Sequence, residues 1–523
     1  MKRRNFIKRL STTVVLPGLA GAVYAGKMSP VQMLNIIANA GNEDRVLVLI
    51  QLKGGNDGLN TLIPLDQYDL YSAARPEVVI SKENVLSLNN FPASGLHPAM
   101  GKIRQLFNSN QVKIIQGVGY PNQNFSHFRS TDIWLSASDA QDFVTTGWAG
   151  RYLDMLFPGF PIGYPNANQP DPPAVEINSA LSLGFNGIEM NLSMSVTDPE
   201  KFYQLLQGTE TEVPDTPAGR ELSYIRTTAT QSNQYAQALK KAAETVGSQS
   251  PGYPAKGTNS LADQLKIVAS LIAGGLKSRV YLVSLNGFDT HNAQVETDNH
   301  QLGKHADLLT KLSEGVSAFL ADLEYLNIAD RVLTMTFSEF GRRIKSNKSY
   351  GTDHGAASPL FIFGKNVVPG IEGVNPTIPP SPTVNSNVPM QFDFRSVYYS
   401  VLEQWFGVDK QTLQMIMLKE FPSIPIIKKS ETGLQTQQGG KNPLQNYPNP
   451  FRDKTTLEFE TGGDDTRIEI VDFKGALIEV LTDKTYSSGV YKIELDTMQY
   501  QQGVYYAIMY NHKQRFVRVM MKN

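Results

Sequence analysis

Short runs of hydrophobic residues, separated by segments with a helical period, organise the chain between residues 27 and 426. Runs of this length without polar alternation are typical of strands buried on both faces of a sheet. They predict five strands, at residues 45–52, 112–117, 279–285, 331–337 and 359–363. One face of a predicted helix carries Leu308, Leu312, Val316, Phe319 and Leu323. Strands that alternate with helices predict an α/β fold, with a mostly parallel sheet between helices.

The last part of the chain has a different period, in which hydrophobic and polar residues alternate. Leu457 and Phe459 flank a glutamate, and so do Ile468 and Ile470. Short strands of this kind, separated by turns rich in Gly and Asp, predict a small all-β sandwich over residues 446–523. The preceding residues, 427–445, have the composition of a flexible linker.

Residues 136–260 follow neither pattern. This stretch is rich in Pro, Asn, Gly, Ser and Thr, and it holds a polar helical segment near residues 223–245. We interpret it as an insertion in the α/β unit, or a cap over the sheet.

The first 26 residues have the pattern of a signal peptide. Arg3 and Arg4 precede Phe6 and Lys8, and an uncharged stretch then runs to residue 26. This arrangement resembles a twin-arginine signal, which implies the twin-arginine translocase as a partner. An ordinary signal peptide with two chance arginines is the alternative. Elsewhere no uninterrupted apolar run approaches ~18 residues, so we expect no transmembrane helix.

Charge and composition narrow the function. Lys and Arg number 48 and Asp and Glu number 49, so the basic face that nucleic-acid binding requires is not expected. The chain has no cysteine, which excludes disulfides, a cysteine nucleophile and thiolate metal sites.

Polar clusters accompany all five predicted strands. Four strands are followed by such a cluster, whereas the fifth is preceded by one. Ligand sites in open α/β sheets lie beyond the carboxyl ends of the strands. Parallel strands therefore bring four clusters to one edge, and the fifth requires a loop that folds back. The converging side chains are Asp57, Ser126, His127, Asp289, His291, Glu339, Arg342, Asp353 and His354.

Carboxylates mixed with imidazoles suit a divalent ion such as Zn²⁺, Mn²⁺ or Mg²⁺, and suit calcium less well. The expected metal ligands are Asp57, Asp289, His291, Glu339, Asp353 and His354. Ser126, His127 and Arg342 are the candidate catalytic residues, with Arg342 placed to hold an oxyanion.

Each of these residues also has a structural interpretation. Asp57 fits a turn, Ser126 fits a helix N-cap, and Asp289 fits a helix cap with a stacked histidine at position 291. Glu339 could pair with Arg342 on a helical turn. His305 lies on the apolar side of the helix at 308–323, so we expect it to be a packing histidine.

Several motifs together resemble the DUF1501 family over residues 40–410. They are Gly-Gly-Asn-Asp-Gly at 54–58, Ser-His-Phe-Arg at 126–129, Gly-Trp-Ala-Gly-Arg at 147–151, Phe-Asp-Thr-His at 288–291, Ser-Glu-Phe-Gly-Arg-Arg at 338–343, Gly-Thr-Asp-His-Gly at 351–355 and Asp-Phe-Arg-Ser-Val at 393–397. That family is similar to the alkaline-phosphatase and sulfatase superfamily. The resemblance implies an alkaline-phosphatase-like α/β fold with a metal-assisted hydrolytic site.

The superfamily's site residues can be carried over only in part. Asp57 fits its first metal-binding aspartate, Ser126 its nucleophile, and Asp289 with His291 and His354 its later metal groups. Its Asp-His pair after the later strand is Ser-Glu here, ending at Glu339, which weakens a second metal site. The chain has no motif of a formylglycine sulfatase. One-metal and inactive descendants also fit these departures.

The C-terminal segment carries a second resemblance. Asn-Tyr-Pro-Asn-Pro-Phe at 446–451, Asp-Phe-Lys-Gly at 472–475, Gly-Val-Tyr at 489–491 and Gly-Val-Tyr-Tyr at 503–506 resemble a type IX sorting domain. This implies passage through the periplasm and type IX secretion machinery to the cell surface or medium. An immunoglobulin-like binding module without a sorting role is the alternative.

These observations favour an exported, metal-dependent hydrolase of phosphate or sulfate esters. Its substrate would be a small-molecule or glycan ester. The alternative is a non-catalytic cell-surface protein that retains the fold and binds a glycan or a partner.

Overall fold

The computed structural model describes residues 44–157, 160–166, 169–178, 180–196, 217–428, 443–449, 451–463, 465–472, 477–500, 503–511 and 514–522. One compact unit comprises Asn42–Lys428, and a second includes Lys429–Asn523. The predicted signal peptide, 1–26, lies outside the described residues, as does most of the predicted linker.

The larger unit alternates strands and helices. Its helices are α1 (Gly58–Thr61), α2 (Tyr68–Ala74), α3 (Gly101–Asn108), α4 (His127–Ser136), α5 (Trp148–Leu156), α6 (Pro217–Thr245), α7 (Ser260–Ala273), α8 (Lys304–Tyr325), α9 (Phe394–Gln404) and α10 (Lys410–Met417). Its strands are β1 (Val46–Lys53), β2 (Leu62–Pro64), β3 (Leu86–Ser87), β4 (Ser94–Leu96), β5 (Val112–Gly119), β6 (Ala174–Glu176), β7 (Ser193–Ser195), β8 (Val280–Asn286), β9 (Val332–Phe337), β10 (Gly341–Asn347), β11 (Gly351–Gly355), β12 (Ser358–Phe363), β13 (Gly370–Glu372) and β14 (Phe392–Asp393).

A mostly parallel sheet forms the centre of this unit, which confirms the predicted fold class. Within the described residues it has nine strands in the order β13-β5-β12-β9-β1-β8-β6-β7, with β14 also paired to β5. All five predicted strands are present in it. Leu47, Val48 and Ile50 of β1 have no exposed surface, because neighbouring strands and helices cover both sides of a central strand.

Strand direction explains why the clusters meet. β1 runs parallel to β8 and β9, while β12 is antiparallel to both β9 and β5. The strands β1, β5, β8 and β9 therefore all end at one edge, and β12 begins there. The cluster before β12 forms strand β11 of the β10–β11 hairpin, and it reaches this edge because β12 begins there. Our expectation that a loop must fold back to bring this cluster to the edge was therefore wrong.

Helices pack around the sheet in two groups. α8 packs against α3 and α7, and α7 also contacts β8. The predicted stripe on α8 is buried, with Leu312 and Phe319 wholly inaccessible. In the other group, Trp134 of α4 stacks on Phe394 of α9, with ring centroids 4.4 Å apart.

The segment interpreted as an insertion contributes to the sheet itself. β6 pairs in parallel with β8, and β7 extends the same edge beyond β6. Its polar helix is α6. The two strands are only three residues each, and Gly- and Pro-rich flanks separate them, so no periodic pattern marks them in the sequence.

The second unit contains two antiparallel sheets, as the period of two predicts. One sheet has the order β15-β16-β19 and the other β18-β17-β20-β21. The strands are β15 (Leu444–Tyr447), β16 (Lys454–Thr461), β17 (Asp465–Asp472), β18 (Leu477–Thr485), β19 (Gly489–Asp496), β20 (Gly503–Asn511) and β21 (Gln514–Lys522). Leu457 and Phe459 of one sheet share a buried core with Ile468 and Ile470 of the other.

None of the described helices combines the length and the apolar character that crossing a bilayer demands.

Candidate metal centre

Glycines let the loops of the site approach one another closely. Gly54, in the turn after β1, has a φ of +123°, and a Cβ there would lie 2.2 Å from the backbone nitrogen of Asp289. A Cβ on Gly351, at the start of β11, would lie 2.3 Å from the carbonyl oxygen of His291. Larger side chains at these positions would push apart the loops that carry Asp289 and His291.

Three of the predicted site residues bring their ligand atoms together. His127, Asp289 and His354 each offer one donor atom, and these atoms all lie within 4.8 Å of one another. His354 Nε2 is 3.1 Å from Asp289 Oδ1, and His127 Nε2 is 3.5 Å from Asp289 Oδ2. This group is a candidate metal centre. We call these three residues and His291 the histidine cluster.

His291 adds a fourth donor beside the group. Its Nε2 lies 2.8 Å from His354 Nε2 and 3.2 Å from Asp289 Oδ1. The three imidazoles therefore turn their Nε2 atoms towards the same carboxylate. They come from α4, the loop after β8 and strand β11, which are far apart in sequence.

The opposite nitrogen of each imidazole is held by an oxygen. His127 Nδ1 is 2.8 Å from Glu339 Oε1, and His291 Nδ1 is 3.2 Å from Asp353 Oδ1. His354 Nδ1 is 2.9 Å from the carbonyl oxygen of Phe125. Ionised carboxylates and carbonyls only accept hydrogen bonds, so each Nδ1 carries a proton and donates it.

This tautomer assignment has a direct consequence for the other nitrogens. A neutral imidazole that is protonated at Nδ1 has a lone pair at Nε2. In the cluster, three such lone pairs face one another and the Asp289 carboxylate, and two of them are only 2.8 Å apart. A shared cation removes this repulsion, and histidine ligands with oxygen-bound Nδ1 atoms are typical of metal sites.

The Asp289 carboxylate is held in its ionised form. Partial burial opposes ionisation, but the hydrogen bond from Arg342, at 2.7 Å, and the positive charge of its guanidinium lower its pKa to about 2. Asp289 thus presents a negative charge to the cluster across the pH range in which His127 and His354 titrate.

The histidines differ in their affinity for protons. The hydrogen bond to Glu339 raises the pKa of His127 above its ordinary value of 6.5. Burial lowers the pKa of His354, although Asp289 opposes this shift. As pH falls, His127 is therefore protonated before His354.

Glu339 and Asp353 were predicted as ligands, and the structure places them behind the histidines. Glu339 Oε1 also accepts a hydrogen bond from the Gly54 nitrogen, at 2.8 Å. Its Oε2 is buried and has no hydrogen bond within the described residues. Asp353 accepts a bond from Asn347 as well as facing His291. The expected pairing of Glu339 with Arg342 on a helical turn is not seen, since Arg342 lies in β10.

Arg342 is buried and its donors are occupied. It is 1% exposed, and its guanidinium donates to the carbonyl oxygens of Gly54, Gly55, Phe288 and Thr352 and to Asp289. A side chain in this position orients Asp289. Its burial leaves little surface for the oxyanion-holding role we expected for it.

Asp57 lies in a separate buried network and not among the grouped donor atoms. Its Oδ2 accepts hydrogen bonds from Arg75 and Gln294. His305 is buried in the same network, with Nε2 3.1 Å from Asn56 Oδ1, and burial lowers its pKa to about 4. His305 thus has a structural position, as its place on the apolar helix face predicts.

Ser126 is the N-cap residue of α4. Its side chain is exposed and makes no capping hydrogen bond. Its neighbours on both sides serve the cluster, because the Phe125 carbonyl holds His354 and His127 belongs to the group. Phe125 adopts the left-handed conformation, with a φ of 57°, which is uncommon for an aromatic residue.

Two cavities adjoin the cluster. One, of about 370 Å³, is lined by Phe125, His291, Arg343, Asp353, His354, Val384 and Asn385. We call it the arginine cavity. Arg343 donates through Nε to the His354 carbonyl and through Nη1 to Val384 and Asn385, and no hydrogen bond of its Nη2 is found within the described residues.

The other cavity, of about 520 Å³, has more hydrophobic walls, and we call it the apolar cleft. The cluster contributes His127 and Asp289 to it, and Glu339 lines it as well. Asp289 lines the apolar cleft and His354 lines the arginine cavity, and Asp289 Oδ1 is 3.1 Å from His354 Nε2. A ligand bound at the cluster can therefore reach into both.

Sequence reasoning missed two contributors. The Phe125 carbonyl and Asn347 carry no signal in local sequence, because their roles depend on contacts between distant loops. The assignment of His127 to catalysis followed from its place after Ser126. Its position at the start of a helix that follows β5 was the available signal for a ligand at the sheet edge.

The chain was compared with known protein families. A family model described as "Protein of unknown function (DUF1501)" matches residues 111–417, and one described as "Secretion system C-terminal sorting domain" matches residues 445–523. Both predicted resemblances are confirmed. The sorting domain indicates export to the cell surface. No curated protein matches the chain.

Solved structures with some likeness include a protein in the alkaline phosphatase superfamily from Vibrio parahaemolyticus. It is 9% identical, with 94% of this chain and 93% of that chain covered and a TM-score of 0.33. A sulfatase from Pseudoalteromonas sp. is also 9% identical, with 90% and 89% covered and a TM-score of 0.33. PorZ, a type-IX secretion component of Porphyromonas gingivalis, is 19% identical over 16% of this chain and 12% of its own length, with a TM-score of 0.13.

Replacing His354 by Ala should weaken Zn²⁺ binding to the full chain by at least ~10-fold, because it removes one Nε2 donor from the cluster. The matched control is His300→Ala, since His300 contacts Val79 and Tyr350 away from the cluster. Competition with a chromophoric chelator measures both affinities. Equal affinities in the two variants would contradict the site.

Zn²⁺ affinity should fall as pH drops below the pKa of His127, because a proton then occupies Nε2. Glu339→Gln removes the charge that raises this pKa, so the decline should begin at a lower pH. Above about pH 8 the same variant should bind ~10-fold more weakly, since the carboxylate no longer supports the ligand.

The control for this profile is Glu83→Gln, which changes an exposed glutamate that is distant from Glu339 in sequence. Titrations over about pH 5 to 9 span the transition. An unchanged midpoint in Glu339→Gln would mean that Glu339 does not act through His127.

Proposed function

The chain belongs to the DUF1501 family of proteins of unknown function, and from this premise we propose that it is an exported, metal-dependent hydrolase of phosphate or sulfate esters. One observation carries the proposal. Three imidazole Nε2 lone pairs converge on an ionised aspartate, with every Nδ1 held by an oxygen. A binding surface for a neutral partner does not need this arrangement.

The donor set fits a transition-metal ion. His127, Asp289 and His354 would hold it, with His291 as a further donor. Imidazole-rich sets suit Zn²⁺, whereas Mg²⁺ and Mn²⁺ suit sites richer in oxygen ligands, so we favour Zn²⁺ and keep Mn²⁺ as the second candidate. Such an ion, when bound, polarises an ester oxygen and helps to ionise the attacking group.

Arg343 takes the anion-binding role in this proposal. It lines the arginine cavity with His291 and His354, and its Nη2 is the part of the guanidinium that no described hydrogen bond uses. Planar guanidinium groups bind phosphate and sulfate oxygens well. Arg342 keeps Asp289 in place and does not contact the substrate.

Ser126 remains the proposed nucleophile. Its exposed hydroxyl lies at the N-terminus of α4, where the helix dipole favours negative charge. Oγ loses its proton and forms a bond to phosphorus or sulfur, while the bond from that atom to the ester oxygen breaks. The departing alkoxide takes up a proton and leaves as the alcohol. Water then hydrolyses the serine ester, which frees phosphate or sulfate and regenerates Ser126.

The two ends of the chain would complete the export route. We propose that residues 1–26 engage the twin-arginine translocase and that the sorting domain engages the type IX machinery. A domain that folds around a metal before export fits this order, because metal binding and folding are coupled.

The Zn²⁺- or Mn²⁺-loaded chain should hydrolyse at least one of three probes, an aryl phosphate, an aryl phosphodiester or an aryl sulfate. Ser126→Ala should lower kcat by at least ~100-fold while metal content stays constant. Activity that survives in Ser126→Ala would assign the attack to water. A metal-loaded chain without any turnover would favour the alternative, a cell-surface binding protein.

Arg343→Ala should raise KM for the best of these esters by ~10-fold or more, because an anion contact is lost. Arg104→Ala provides the control, since Arg104 lies on α3 and lines neither cavity. Steady-state kinetics at constant metal content measure the change. Equal KM values in both variants would remove Arg343 from the substrate site.

Changing Arg3 and Arg4 to Lys should leave folded precursor in the cytoplasm, because the twin-arginine route reads the pair. Arg9→Lys is the matched control and should be exported. Deleting residues 446–523 should instead leave folded protein in the periplasm. Fractionation with an antibody to the larger unit tests both, and surface delivery of either altered chain would refute the corresponding assignment.

A further inference from the structure

The apolar cleft has a wall that the chemistry at the cluster does not explain. Besides the residues of the site, hydrophobic side chains from α4, β8 and the segment after β6 line it. They are Phe128, Leu135, Ile177, Leu181, Leu282 and Val283. These elements are separate in sequence, so the wall is not a local accident of one hydrophobic run.

Two of these residues are exposed although they are large and apolar. The exposed fraction is 87% for Phe128 and 53% for Leu181. Phe128 directly follows His127 on α4, so an aromatic ring stands one residue from the histidine cluster. Exposed apolar groups that line a cavity next to reactive side chains are typical of substrate-binding sites.

The charged side chains that line the cleft limit the charge of the ligand that it can bind. Lys53 is its basic residue, whereas Asp132, Asp289 and Glu339 are acidic. Arg342 and a bound metal ion would engage Asp289, and His127 and the Gly54 nitrogen engage Glu339. Lys53 and Asp132 are then the charged side chains that face a second group of the ligand, and their opposite charges give no net attraction for a further anion. The cleft therefore suits an uncharged group better than a polysulfated glycan or a nucleotide.

From the cleft we infer that the substrate's alcohol portion is an uncharged group with an aromatic or alicyclic apolar face. This inference rests on the proposed function. The ester anion lies towards the arginine cavity, and the alcohol portion enters the apolar cleft across the pair Asp289–His354. Phe128 and Leu181 determine specificity by contacting that group, and neither takes part in the chemistry.

Non-hydrolysable phosphonates test this inference without requiring turnover. Calorimetric titration of the Zn²⁺-loaded full chain should show that phenylphosphonate binds about 10-fold or more tightly than methylphosphonate, because the ring leaves water. 4-Carboxyphenylphosphonate should bind about 10-fold more weakly than phenylphosphonate, since its carboxylate would lose hydration in an apolar cleft where Asp132 offsets the charge of Lys53.

Phe128→Ser and Leu181→Ser should each reduce the preference for phenyl over methyl at least ~3-fold, with methylphosphonate affinity and metal content unchanged. Phe143→Ser is the matched control, since Phe143 is 84% exposed and lines neither cavity. Both target side chains are exposed, so the variants should fold normally.

The outcomes separate the two proposals. Equal binding of phenyl- and methylphosphonate, or binding of neither, overturns the cleft assignment even if the chain hydrolyses esters. A tighter carboxyphenyl ligand overturns the assignment of an uncharged group. A phenyl preference that Phe128→Ser reduces, in a chain without turnover, supports the cleft and contradicts the hydrolase.

Discussion

The ion pair between the buried Arg342 guanidinium and Asp289 holds the site together. Arg342 also donates to carbonyls in the turn after β1, in the loop after β8 and at the start of β11. One side chain thus joins the loops that carry Asp289, His291 and His354. A buried guanidinium needs all these acceptors, because each unpaired donor would carry a desolvation cost.

Much of the fold could be predicted from the sequence, because continuous apolar runs mark strands buried on both faces. The short strands β6 and β7 could not, since three residues carry no period. β18 was missed for another reason: Leu477, Ile478 and Val480 are exposed, so its sequence lacks the alternation that half-buried strands show. The sequence also does not indicate the direction of a strand, which is why the antiparallel β12 was unexpected.

The sequence predicted which residues lie at the candidate site better than it predicted the role of each residue. Polar clusters at strand ends identify the edge of the sheet, and Asp289, His291 and His354 meet there. Asp57 was predicted as a metal ligand, but it lies outside the group because its carboxylate accepts hydrogen bonds from Arg75 and Gln294. Local sequence does not reveal such distant partners. His127, which we expected in catalysis, offers one of the grouped donor atoms. Glu339, which we expected as a ligand, lies behind it and contacts its Nδ1, and a carboxylate in that position makes an imidazole a better donor to a cation.

The central claim is that histidine Nε2 atoms of the cluster bind a metal ion, and X-ray absorption spectroscopy of the Zn²⁺-loaded full chain tests it most directly. The account predicts a nitrogen and oxygen shell at about 2.0–2.1 Å. It also predicts the outer-shell scattering of at least two imidazole rings. A shell of oxygen atoms alone, without imidazole scattering, would contradict the account.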